Sequence, residues 1–366
     1  MQTLPRKGAP GRSALAIIGL AIIMLPLTVG AGYLLPSPVA LVTPGPVEPV
    51  DTLITIDGRS YEPQGRLYLT SLRLTLEPRL GHYLLAQLHA DALTVPKEEV
   101  VPAGVSREEF HRLSQRLLAE SQLIAQAVAL REAGYEVRLG NSQVEVVSTI
   151  PGTPAEGLLH PGDIIEAVDG ESIATTAELV SIIQGRVNGE PLTLRVRRGR
   201  QSTSVTLRAL RGPLDTEGPV LGAVAVTTGL DCRASLEIKV DSGPLAGGPS
   251  GGLIYALGVY NALATEDITR GHRVAGAGTL RLNGTVGPTG AVPLKVRAAE
   301  DAGAEYFLVA EEDEAVARAA ANQMEIIPVH TFRAALEALR ALDAAPGRRG
   351  PAAPARGDTT LARLSR

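Results

Sequence analysis

Ala14 to Leu35 are 22 consecutive residues without a charge, and Arg6, Lys7 and Arg12 stand just ahead of them. About 20 apolar residues cross a bilayer as a helix, whereas the apolar core of a secretory signal runs to about 7–15. The length predicts an uncleaved transmembrane anchor over 13–35, although "VGA" at 29–31 has the form of a weak cleavage site. The basic flank predicts a cytoplasmic N-terminus of residues 1–12. Everything after residue 36 is then expected on the extracytoplasmic side of the cell membrane, in a single-pass arrangement. That placement leaves the chain without cytoplasmic ATP, and the sequence contains no G-x-x-x-x-G-K-[ST] loop to bind it.

Charge and cysteine remove further classes. The net charge is −4 and no basic stripe occurs, which argues against a nucleic-acid partner. A single cysteine, Cys232, excludes an internal disulfide framework and any multi-cysteine metal site. It reads as a small buried apolar side chain. The sequence calls for no metal and no cofactor. Only four of the 35 basic residues are lysine: Lys7, Lys97, Lys239 and Lys295. Where positive charge suffices the chain uses arginine, so a lysine inside a motif points to a task that requires losing a proton.

The expected fold class is α+β and multidomain. "PSPVALVTPGPVEPV" (36–50) reads as a Pro-rich spacer, followed by alternating stretches at 52–58 and 66–78 that read as strands. A long helix starts at "SREE", with Ser106 as cap, Glu109 closing the box and Gly134 at its C-terminal end. Residues 36–133 are thus expected to form a juxtamembrane β unit plus a long helix. Residues 134–210 form a second, β-rich unit with a tight turn at Asp169-Gly170 and a short helix at 176–186 capped by Thr176. A third unit spans 212–342, with strands near 220–226 and 235–240 and a hairpin turning at Asn283-Gly284. The last residues, 343–366, are rich in Pro, Ala, Gly and Arg and predict a disordered tail.

The middle unit carries "STIPGTPAEGLLHPGDIIEAVDGESI", which resembles a PDZ domain: a small-residue helix, a "GL…GD" turn and a strand ending in a D-G turn. PDZ domains bind peptides by adding a strand to an exposed sheet edge. The resemblance places that edge at "GYEV", Gly134, Tyr135, Glu136 and Val137, facing the helix at 176–186. The alternative is a PDZ-like spacer whose groove binds nothing.

The chemistry centres on "AGGPSGGLIYALGVYNAL" (246–263). Ser250 lies between glycines, after a φ-fixing proline and ahead of an apolar helix. A serine there sits among unpaired backbone N–H groups at the positive end of a helix dipole, where an oxyanion would be stabilised. Alone, the segment reads equally as a glycine-rich turn with a capping serine. It also fits G-x-S-x-G, the nucleophile elbow of α/β-hydrolases, which would need His272 or His330 as base. Forty-five residues on, "NGTVGPTGAVPLKVRAA" delivers Lys295 to the start of another helix, between Val292, Leu294 and Val296. Lysine is a poor base at about 10.4, but burial beside a helix N-terminus disfavours its charged form. A Ser–Lys pair is a known variant of triad logic.

"GGPSGG" followed by "GTVGPTGAVPLK" resembles the proteolytic domain of Lon proteases. The resemblance makes Ser250 the nucleophile, Lys295 its general base, and Gly248, Pro249 and Gly251 the backbone support of the oxyanion. Thr279 in "GAGTL" matches a family threonine near the dyad and takes an orienting role. Asp241 is a second candidate for orienting the site, against a plain surface acid. An anchor, a PDZ domain and a Lon-type domain without an ATPase module are similar to the YlbL-like family of PDZ-containing proteases, over about 13–342. The resemblance implies an ATP-independent serine endopeptidase acting on protein or peptide substrates at the membrane, with ring-like self-assembly. The alternative is a membrane-tethered PDZ scaffold with a weak or inactive Lon-like domain. Three positions leave the family pattern: Gly251 replaces alanine, Ala291 replaces the second glycine, and Pro293 precedes the lysine by two.

Overall fold

The computed structural model describes residues 35–345 apart from 38, 58, 61–62, 87–91, 98–106, 185, 212–218 and 242–248. The expected anchor up to residue 34, the cap Ser106, Gly248 and the tail from 346 lie outside the described residues. Among the described residues no helix is long and apolar enough to cross a membrane.

The alternating stretches of the N-terminal region become β1 (Val39–Pro49), β2 (Ile54–Ile56), β3 (Arg66–Thr75) and β4 (Leu93–Pro96), and the long helix is α1 (Arg107–Glu132). Gly134 ends α1 at φ +85°, with its N–H bonded to Arg131 and that of Tyr135 to Leu130, the left-handed close expected there. The supposed Pro-rich spacer is largely strand. β1 pairs with β3 along its length but with β4 only over 39–42, and its register shifts between Pro44 and Val47. The prolines fall where one flank is open or the ladder is broken, so their missing N–H costs little.

The middle unit contains β5 (Gln143–Thr149), β6 (Ile164–Val168), α2 (Thr176–Gln184), β7 (Pro191–Arg198) and β8 (Gln201–Arg208). Asp169 and Gly170 both have positive φ and close the expected tight turn. A further strand, β9 (Ala223–Thr228), pairs antiparallel with β5, and the sheet order is β8-β7-β6-β5-β9. The stretch 220–226 therefore belongs to this sheet and not to the third unit. Leu221, Ala223 and Ala225 pack into its core with Val144, Ile165 and Leu194.

The third region supplies β10 (Ile238–Val240), α3 (Gly252–Leu263), β11 (Arg273–Ala277), the short pair β12 (Thr279–Leu280) and β13 (Val286–Gly287), α4 (Val292–Asp301), β14 (Tyr306–Ala310), β15 (Glu325–Val329) and α5 (Phe332–Ala341). Its strands do not close on themselves. The large sheet runs β15-β14-β11-β3-β1-β4, with β3, β11, β14 and β15 parallel. β10 pairs with β2. The separate juxtamembrane unit is thus corrected: residues 39–96 and 273–329 share one sheet, and the PDZ-like unit sits in the chain between its halves.

Period-two alternation splits that sheet cleanly. Val274, Leu308 and Ala310 face a core shared with α1, α3 and α5, whereas Ala275, Ala277, Phe307 and Val309 face the opposite way, onto Val292 and Val296 of α4. The result is a helix–sheet–helix sandwich around β11, the centre of the parallel strands. Each fully buried Leu, Ile or Phe in it contributes roughly 1.5–3 kcal/mol.

Candidate active site

Ser250 lies in a 3-10 turn, Pro249–Gly251, that runs directly into α3. Ser250 is half-buried, and the N-cap position of α3 belongs to Gly251, one residue after it. Two backbone bonds tie this turn to the end of β11: Gly278 N–H donates to the Ser250 carbonyl at 2.9 Å, and Leu253 N–H to the Gly278 carbonyl at 3.1 Å. The turn is also crowded. A Cβ on Gly252 would stand 3.0 Å from Ser121 Oγ of α1 and 3.2 Å from the Leu280 nitrogen, so any larger residue would push α1 or β12 back by a few tenths of an ångström. α3 itself is buried on nearly every side, Leu253 to Leu257 without a break, which is why its sequence shows almost no polar face.

Lys295 lies in the first turn of α4, 3% exposed, between buried Leu294 and Val296. Pro293 sits at the helix start, where a missing N–H is harmless. The chain enters α4 through Ala291 at φ +53°, ψ +37°, left-handed backbone. That is the physical meaning of the second glycine in the motif: the position requires φ above zero.

α3 and α4 pack on opposite faces of the sheet, and both begin at the C-terminal end of β11. The helix leading into β11 and the helix leading out of the β12–β13 hairpin therefore direct their N-termini, and Ser250 and Lys295 with them, to the C-terminal ends of the parallel strands. Open α/β sheets place their sites at such strand ends. Two positive helix ends there favour an anion. Thr279 pairs with Gly287 across the hairpin, its Oγ1 2.6 Å from where a Cβ on Gly287 would be. Asp241 is exposed and follows β10, with its N–H bonded to the Leu53 carbonyl. His272 stands at the other end of β11, its ring held by Glu305 and the Asp343 carbonyl, so one strand length separates it from Ser250 and the hydrolase elbow loses that base.

Two features escaped the sequence. Asp313, half-buried just after β14, accepts the Thr289 N–H at 2.8 Å and so fixes the loop that delivers Lys295. Burial raises its carboxyl above the usual range, while the Lys295 charge pulls it back. The only signal for it was an acidic "EED" directly after an apolar strand. Second, the groove residues differ. Gly134 closes α1, while Tyr135 and Val137 pack against the core of the large sheet, and none of Gly134, Tyr135, Glu136 or Val137 lies in a strand. The edges of the PDZ sheet are β8 and β9 instead, and β9 is the one beside α2.

Residues 145–198 match the PDZ domain family. Over 142 residues the chain is 29% identical to Lon protease 2 of Bacillus subtilis (strain 168), covering 38% of this chain and 24% of that protein. Over 59 residues it is 42% identical to a protein of Xylella fastidiosa (strain Temecula1 / ATCC 700964) carrying a zinc-metalloprotease name, covering 16% of this chain and 13% of that one. The chain thus spans about a quarter of the first relative and less of the second. Among solved structures, the PDZ domain of the SdrC-like protein of Listeria innocua is 24% identical, with a TM-score of 0.22, over 23% of this chain and 92% of that one. The chain contains a PDZ domain, a module for peptide or protein partners, and has similarity to a Lon protease.

Proposed function

We propose that this chain is a membrane-anchored, ATP-independent serine endopeptidase in which the PDZ domain receives substrate or partner peptides. The observation that carries the reading is the delivery of Ser250 and Lys295 to the C-terminal end of β11 by helices on opposite faces of one sheet. Ser250 Oγ attacks the scissile carbonyl while the neutral Lys295 amine takes its proton. The first N–H groups of the Ser250 turn, which no helix bond satisfies, receive the oxyanion. The resulting ammonium gives the proton to the leaving amine, and water then releases the acyl group by the same exchange. The single-pass anchor at 13–35 places this site outside the cytoplasm, on substrates at or near the membrane.

The test is cleavage of fluorescein-labelled casein by the full-length protein in detergent. Ser250→Ala and Lys295→Arg are each expected to abolish it. Full cleavage by either variant overturns the reading in favour of a tethered PDZ scaffold with a contaminating activity.

A further inference from the structure

The PDZ helix α2 is held by a residue from outside its own domain. Its local cap is Thr175, not the expected Thr176: Glu178 N–H donates to Thr175 Oγ1 at 3.2 Å, and the Glu178 carboxylate accepts the N–H groups of Ala174 and Thr175. That capping box leaves Thr176 Oγ1 free of local duty. It donates instead to Glu120 Oε2 of α1 at 2.5 Å, and Ala177 N–H points to Glu120 Oε1 at 3.4 Å. Glu120 and Thr176 are 8% and 4% exposed. A carboxylate this buried is retained only where its oxygens are satisfied, and here the PDZ helix satisfies them. Thr227 of β9 completes the junction, accepting the Thr176 N–H at 2.9 Å.

The same helix also reaches the candidate catalytic site. Ala177 packs against the core of the large sheet. Ser181 Oγ lies 3.7 Å from the Cβ position of Gly287, on the face of the β12–β13 hairpin that carries Thr279 Oγ1. On α1, the residue next to Glu120 is Ser121, whose hydroxyl meets Gly252 beneath the Ser250 turn. The start of α2 thus borders β9, whose outer side pairs with no described strand and is where a peptide strand would add, and Ser181 of α2 lies against the β12–β13 hairpin.

We propose that α2 is a built-in cover over the candidate catalytic site, held closed by Glu120, and that a peptide entering between α2 and β9 lifts it by breaking the Glu120–Thr176–Thr227 junction. The proposal rests on the protease reading for its readout in activity but not for the junction itself. Because binding and cover position share these bonds, a peptide that opens the site must bind more tightly when the junction is already broken.

The experiment uses the full-length protein with Glu120→Ala, Thr176→Val and the double variant, reading casein cleavage and amide hydrogen exchange. Each single variant is expected to raise cleavage by about threefold or more, and the double by no more than the larger single. Exchange should accelerate across 177–184. Glu120→Gln, which keeps an acceptor for Ala177, should fall between the parent and Glu120→Ala and guards against loss of fold. Cleavage that stays level or falls in both single variants overturns the cover, and unchanged exchange in α2 overturns the junction. If casein cleavage survives Ser250→Ala, the protease reading fails, and the exchange arm still decides whether Glu120 holds α2.

Discussion

Leu69 Cδ1 stands 2.7 Å from the point a Cβ on Gly251 would occupy. The glycine after Ser250 is therefore matched by a large side chain from β3, 6% exposed, that fills the space an alanine methyl would take. Tyr255 Cε2 stands 3.0 Å from the same point, so an added methyl meets two side chains. Gly251→Ala is expected to cost roughly 1–3 kcal/mol by overpacking. Adding Leu69→Val should recover part of that loss. Thermal unfolding of the two variants decides it: additive losses would show that the two side chains do not compete.

Ala291 holds left-handed backbone at the entry to α4. An L-residue there costs roughly 1–2 kcal/mol, of which glycine gives back about 0.4–1 in the unfolded chain. Ala291→Gly is expected to stabilise by roughly 0.5 kcal/mol, and Ala291→Val, with a branched Cβ at φ above zero, to cost more than about 1. Denaturant midpoints for the three proteins test the order Gly, Ala, Val.

Features fixed by neighbours in the chain were readable: the α1 close at Gly134, the Asp169-Gly170 turn, the Gly284 turn, and the Ser250 and Lys295 helix starts all depend on a few adjacent residues. Features fixed by distant pairing were not. Nothing local in 39–49 says that its partner is 66–75 and that this pair then joins 273–277, more than 200 residues away. The same limit hid β9, whose apolar run suits either sheet until Val144 and Leu221 are seen in one core. Thr175 and Thr176 show it at the scale of one residue. Either could cap α2; Thr175 does, and Thr176 is turned to Glu120, 56 residues upstream.

Asp313 links the loop at Thr289 to the charge of Lys295. Its carboxyl is raised by burial, so the stability it contributes is full below the unfolded value near 3.9 and is lost as pH rises through the folded value. Asp313→Asn keeps an acceptor for Thr289 and has no charge to bury. The melting temperature of the variant relative to the parent should therefore increase from pH 4 toward neutrality. Removing the negative charge also favours neutral Lys295, so the acid limb of kcat/KM should move to lower pH. A limb displaced to higher pH would count against Lys295 as the base.

Within the PDZ domain the opposite sign holds. Asp163 is 1% exposed and sits in the turn before β6. It accepts Nε and Nη2 of Arg198 at 2.8 and 2.7 Å and the His160 N–H at 2.9 Å. The Arg198 fork holds its carboxyl below the usual range, against the opposing effect of burial. That stability is present above the unfolded value near 3.9 and disappears as pH falls through the folded value. Asp163→Asn keeps the shape but loses the charged fork, at a cost of roughly 2 kcal/mol near neutral pH. Hydrogen exchange of the β5–β8 amides reads this domain separately from the large sheet. Protection should drop in the variant at pH 7, and the gap to the parent should narrow as pH falls through the folded value of Asp163. A gap that does not narrow anywhere in the acid range would assign the loss to packing at residue 163 and not to its charge.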